Sequence, residues 1–73
     1  MDTERIGNFI KRLRKEKKLS QKELASLIPV TRQAVSNWET GKTTPDSSVL
    51  LILSKIFEVS IDELVLGNRI ENN

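Results

Sequence analysis

The chain has 73 residues, with 12 Lys and Arg against 10 Asp and Glu, a formal net charge of +2, and neither Cys nor His. That length allows one domain with a small core, and the two missing residue types remove disulfides, thiol catalysis, haem and the usual zinc sites. The first apolar residues are interrupted by charge, which is not a signal-peptide pattern, and the longest apolar run, residues 49–53, is far too short to span a bilayer.

Residues 3–17 read as a first helix. Asp2 or Thr3 can cap it, and Glu4 suits the positive end of its dipole. Ile6, Phe9, Ile10 and Leu13 recur at helical spacing and form its buried stripe. Gly7 costs helix propensity, which implies a second helix packed close. Lys11, Arg12, Arg14, Lys15, Lys17 and Lys18 crowd the C-terminal half, where the dipole favours cations.

From Ser20 to Glu39 the chain reads as two short helices joined by a tight corner. Ser20 and Glu23 have the spacing of a capping box, flanked by the staple Leu19 and Leu24. Thr31 caps the next helix, with Val30 and Val35 as its staple. Pro29 cannot extend the helix before it, so the chain turns there. The apolar residues Leu24, Ile28, Val30, Val35 and Trp38 point into the corner, and small Ala25 admits a close neighbour. Trp38 shares the apolar side with Val35, so core packing is its expected role. Arg32, Gln33, Ser36 and Asn37 are left on the outer face. Arg and Gln are the side chains that pair with guanine and adenine edges.

This second helix should end near Thr40, with Gly41 as its C′ residue. Lys42, Thr43 and Thr44 then lead to Pro45 and the N-cap Asp46. A helix is expected from Ser47 to Phe57. Leu50, Leu53 and Phe57, with small Ser54, form one stripe on it, and Val49, Ile52 and Ile56 a second. Leu51 has polar neighbours and should lie near the surface. One small core rarely needs both stripes, so the surplus is either a wide core stripe or a partner surface. Ser60 and Glu63 form a second capping box with the staple Val59 and Leu64. A short helix from Ile61 to Leu66 follows, closed by Gly67. Residues 68–73 read as a polar, frayed tail. No segment alternates as a strand does, so the expected fold is all-α, with five helices and one domain over residues 1–67.

In order, Leu19-Ser20-Gln21-Lys22-Glu23-Leu24-Ala25, Val30-Thr31-Arg32-Gln33-Ala34-Val35-Ser36-Asn37-Trp38-Glu39, Gly41-Lys42, Pro45-Asp46 and Val59-Ser60-Ile61-Asp62-Glu63-Leu64 resemble a helix-turn-helix of the phage Cro and repressor type, the Xre-like family. The resemblance covers residues 5–66. The chain departs from it at Pro29, where the family usually has Gly or Asn, so the corner needs another backbone path. The resemblance implies a compact five-helix, phage-repressor-like DNA-binding domain with the helix-turn-helix as its second and third helices. The third helix would enter the major groove and the second would lie across the backbone. Arg32 and Gln33 are the first candidates for base contacts, followed by Ser36 and Asn37. The resemblance gives Gln21 a phosphate contact at a helix N-terminus. Thr31 has a hydroxyl suited to bases or phosphates, and Lys42 and Thr43 are suitable phosphate donors in the following loop. The family pairs the residue matching Arg14 with the one matching Glu39, and Arg14 has spare donors for a phosphate.

Charge agrees with this reading. Residues 1–43 hold ten Lys and Arg against five Asp and Glu, and residues 44–73 hold two against five. Such asymmetry suggests a basic face for an anionic polymer. The expected partner is a double-stranded DNA operator, bound by a homodimer whose contact falls on Leu51, Val65 and Leu66. No cofactor, metal or membrane is expected. The absence of Cys fits a reducing cytosol, and a cytoplasmic location is expected. The chain shows no separate effector domain, which keeps an antitoxin or other protein-interaction role as the alternative. With no His, no Cys and no Gly-rich phosphate loop, no catalytic constellation is visible.

Overall fold

The computed structural model describes residues 2–70. Its five helices are α1 (Thr3–Glu16), α2 (Gln21–Leu27), α3 (Arg32–Glu39), α4 (Ser47–Phe57) and α5 (Ile61–Leu66), and the described residues include no strand. Each helix starts where a short polar side chain can take a free amide. Asp2 accepts from the Arg5 amide, Thr31 from Ala34 and Asp46 from Val49, while Ser20–Glu23 and Ser60–Glu63 are complete capping boxes. Between the expected caps of α1, Asp2 is the one used, and α1 stops at Glu16, one residue short of the expected end.

The stripes meet in one core. Ile6, Phe9, Ile10 and Leu13 of α1 pack with Leu24, Ala25, Ile28, Val35, Trp38, Leu53, Phe57 and Leu64. α1 runs through the middle, against α3 and α5, while α2 packs on α3 and α4 on α5. Gly7 marks the α1–α3 crossing: a Cβ there would collide with the Trp38 carbonyl oxygen and crowd that of Glu39. The close approach expected from the sequence is thus main chain against main chain.

At the corner α2 ends at Leu27, the Ile28–Pro29 bond is cis, and the Val30 amide donates to the Ala25 carbonyl at 2.9 Å. The second stripe of α4 settles between the two expected readings. Val49, Ile52 and Ile56 are half-buried and pack against the core, whereas Leu51 is 46% exposed.

Residues 68–70 of the expected tail bond back to the domain. The Asn68 amide donates to the Glu63 carbonyl and the Ile70 amide to Glu63 Oε2. The Arg69 fork grips the Glu16 carboxylate at 2.6 and 3.2 Å, which ties the segment back to the end of α1. The last residues of the expected tail, 71–73, lie outside the described residues.

Candidate nucleic-acid interface

α3 has two unlike faces because its apolar residues are spaced to meet the core on one side only. Val35 and Trp38 are buried inward, while Arg32 and Gln33 are exposed and Ser36 and Asn37 half-buried. The four expected base-reading residues therefore share the outer surface of one helix. Thr31 stands at the N-terminus of α3, where its hydroxyl accepts from the Ala34 amide at 3.2 Å. That bond uses a lone pair and leaves the hydroxyl proton free to donate.

Within this face Gln33 Nε2 donates to Asn37 Oδ1 at 3.0 Å. The residues are one helical turn apart, where side chains meet. The Asn37 carbonyl accepts from the Lys42 amide at 3.0 Å, the Thr43 amide at 3.4 Å and the Thr40 hydroxyl at 3.3 Å. One carbonyl thus folds the 40–43 segment under the end of α3. Gly41 supports that fold with φ +79°, a left-handed conformation costly for other residues. Lys42 and Thr43 are left exposed beside the outer face and Thr44 half-buried.

Behind the face lies a polar cluster. Arg14 Nε donates to Glu39 Oε2 at 2.6 Å, its Nη2 to Glu39 Oε1 at 3.0 Å and its Nη1 to the Leu19 carbonyl at 2.8 Å. Hydrogen bonding to the Glu39 carboxylate, with their mutual attraction, holds the Arg14 pKa above its ordinary value against the opposing effect of burial. Gln21 Nε2 adds a third donor to the carboxylate, 3.1 Å from Oε1. The cluster joins the end of α1, the start of α2 and the end of α3. It also bears on the phosphate contact expected of Arg14. The residue is 8% exposed, with three of its five N–H groups committed inside, so the guanidinium faces the protein. Gln21 is half-buried and keeps one amide hydrogen and its carbonyl for an outside partner.

Sequence reasoning missed the Gln33–Asn37 and Gln21–Glu39 bonds. The first had a signal in its i, i+4 spacing; the second joins residues with no local relation. Leu51 and Leu66, expected at a subunit contact, are 46% and 55% exposed, and Val65 is half-buried. The described residues include no group of His, Cys, Asp and Glu arranged to hold a metal ion, and no helix long and apolar enough to cross a membrane.

Comparison with known proteins places this geometry among relatives. The helix-turn-helix family matches residues 10–64. The HTH-type transcriptional activator BcrR of Enterococcus faecalis is 43% identical over 61 residues, covering 84% of this chain and 30% of the activator. Repressor protein C2 of Salmonella phage P22 is 36% identical over 73 residues, covering all of this chain and 34% of the repressor. The chain thus spans about a third of the length of these two relatives. The crystal structure of the P22 c2 repressor with synthetic operator 9T matches with a TM-score of 0.81 at 36% identity, over 86% of this chain and 96% of that one. The restriction-modification controller protein C.AhdI of Aeromonas hydrophila matches with a TM-score of 0.78 at 30% identity, over the same shares of the two chains.

Proposed function

The chain belongs to the helix-turn-helix family, and from that premise we propose that it is a sequence-specific regulator of transcription that binds double-stranded DNA. In this reading α3 enters the major groove of an operator half-site and α2 crosses the backbone. The observation that carries the reading is the two-faced α3. Its inner face is fixed by Val35, Trp38 and the Arg14–Glu39 pair, and its outer face offers Arg32, Gln33, Ser36 and Asn37. Arg32 forms no ion pair among the described residues, so its fork is available for a base edge.

Phosphate contacts fall to Gln21, Thr31, Lys42 and Thr43, which position the domain without reading sequence. Arg14 serves the fold first, through Glu39 and the Leu19 carbonyl, and its two remaining N–H groups are kept for a phosphate. A homodimer joined through Leu51, Val65 and Leu66 would present two copies of α3 about 34 Å apart, to successive major grooves. The setting is cytoplasmic. An antitoxin role is not favoured, since the relatives described above include an activator and a repressor of transcription. Nothing in the site calls for a catalytic residue.

Selection of bound duplexes from a random pool tests the reading. A two-fold symmetric consensus is the expected result. Binding without any sequence preference would overturn it.

A further inference from the structure

We propose that Asn37 sets the base preference of Gln33, making it a reader of adenine in preference to guanine. The inference rests on the DNA-binding reading above and deepens it. A Gln amide has one carbonyl and two N–H groups. Gln33 spends one N–H on Asn37 Oδ1 at 3.0 Å, which leaves one donor and one acceptor on the exposed amide. In the major groove adenine offers one acceptor, N7, and one donor, the N6 amino group, while guanine offers two acceptors, N7 and O6. The remaining Gln33 edge satisfies adenine on both atoms. Guanine needs two donors, and the second is held by Asn37.

Asn37 is suited to hold it. Its residue is half-buried, and its main-chain carbonyl is tied to the Lys42 and Thr43 amides and the Thr40 hydroxyl. Gln33 is the exposed arm and Asn37 the anchored one. Asn37 thus acts as a positioning residue for the contact as well as a candidate contact itself.

The experiment uses the whole chain. The base pair read by Gln33 is located by comparing selected duplexes for wild type and Gln33→Ala. Fluorescence anisotropy then measures binding to operators carrying A·T or G·C at that pair. Wild type should prefer adenine by ~10-fold or more. Asn37→Ala should lower that ratio by ~3-fold or more while losing less on a random duplex. Asn37→Asp, whose carboxylate can only accept, should keep the preference for adenine. A wild-type preference for guanine, meaning that the Gln33–Asn37 bond runs in the opposite sense, overturns the inference. So does an adenine preference that survives in Asn37→Ala, or a Gln33→Ala profile that matches wild type. Those results leave DNA binding standing, whereas a wild type that binds all duplexes alike defeats the function itself. Circular dichroism of each variant separates loss of contact from loss of fold.

Discussion

Arg14 and Glu39, 25 positions apart, close a two-pronged bond, with Nε at 2.6 Å from Oε2 and Nη2 at 3.0 Å from Oε1. Their side chains are only 10% and 3% exposed, so each ion depends on the other for its solvation. Removing one partner leaves a buried charge poorly compensated, which costs about 3–5 kcal/mol. Arg14→Ala and Glu39→Ala should each lower stability by about 3 kcal/mol or more in urea unfolding. The double variant should lose less than the sum of the two. Strict additivity would mean that the pair has no coupling.

Acid should weaken the fold through the helix starts. Glu23 and Glu63 accept the Ser20 and Ser60 amides, and Asp46 accepts the Val49 amide. In each case that backbone bond is the foremost cause holding the carboxyl below its ordinary pKa. A carboxyl with a lowered folded pKa stabilises the fold above its unfolded pKa. The gain is lost as pH falls through the folded value. The melting temperature should therefore hold between pH 7 and about pH 5 and drop below about pH 4.5. Replacing Glu23 and Glu63 together by Gln should flatten that drop. An unchanged acid profile would show that the caps do not govern it.

Salt should separate positioning from reading. Lys42 is exposed on a loop held under α3, outside the base-reading face. Lys42→Ala should weaken binding to all duplexes alike. It should also reduce the slope of log affinity against log salt by about one unit. A variant that keeps the wild-type slope has lost no phosphate contact.

The subunit contact is open to direct measurement. Leu51→Glu and Leu66→Glu replace exposed apolar side chains, so the isolated domain should keep its helical circular dichroism. Sedimentation with a palindromic operator should find two wild-type copies per duplex and one copy of either variant. One wild-type copy on such a duplex would place the contact elsewhere or nowhere.

What could be read from the sequence divides by distance along the chain. The caps at Ser20, Thr31, Asp46 and Ser60 were legible because each bond spans three residues. The outward face of α3 was legible because Val35 and Trp38 define its opposite. Arg14 and Glu39 could be paired only through family resemblance, since no local pattern links residues so far apart. The polarity of the segment after Gly67 hid its attachment. Without apolar anchors it read as free, yet Arg69 reaches Glu16, 53 positions away, and Glu63 caps α5 with one oxygen while holding the Ile70 amide with the other. The reach of Arg69 to Glu16 depends on how α1 and α5 come together, which no local pattern encodes.

Gly7 settles what kind of joint α3 rests on. Where side chains separate two helices, they can change rotamer and absorb a small shift. At the α1–α3 crossing no such cushion exists, because the missing Cβ lets the Trp38 and Glu39 carbonyls come up against the α1 backbone. The pitch of α3 is then a property of the mount and not of the residues it displays. Arg32, Gln33 and Asn37 can be exchanged on the far side without re-aiming the helix, whereas a single methyl group at position 7 must move the helix bodily. Vocabulary and aim are thus separable in this domain: a new sequence preference can arise on one surface of α3 while the bearing on the other stays as it is.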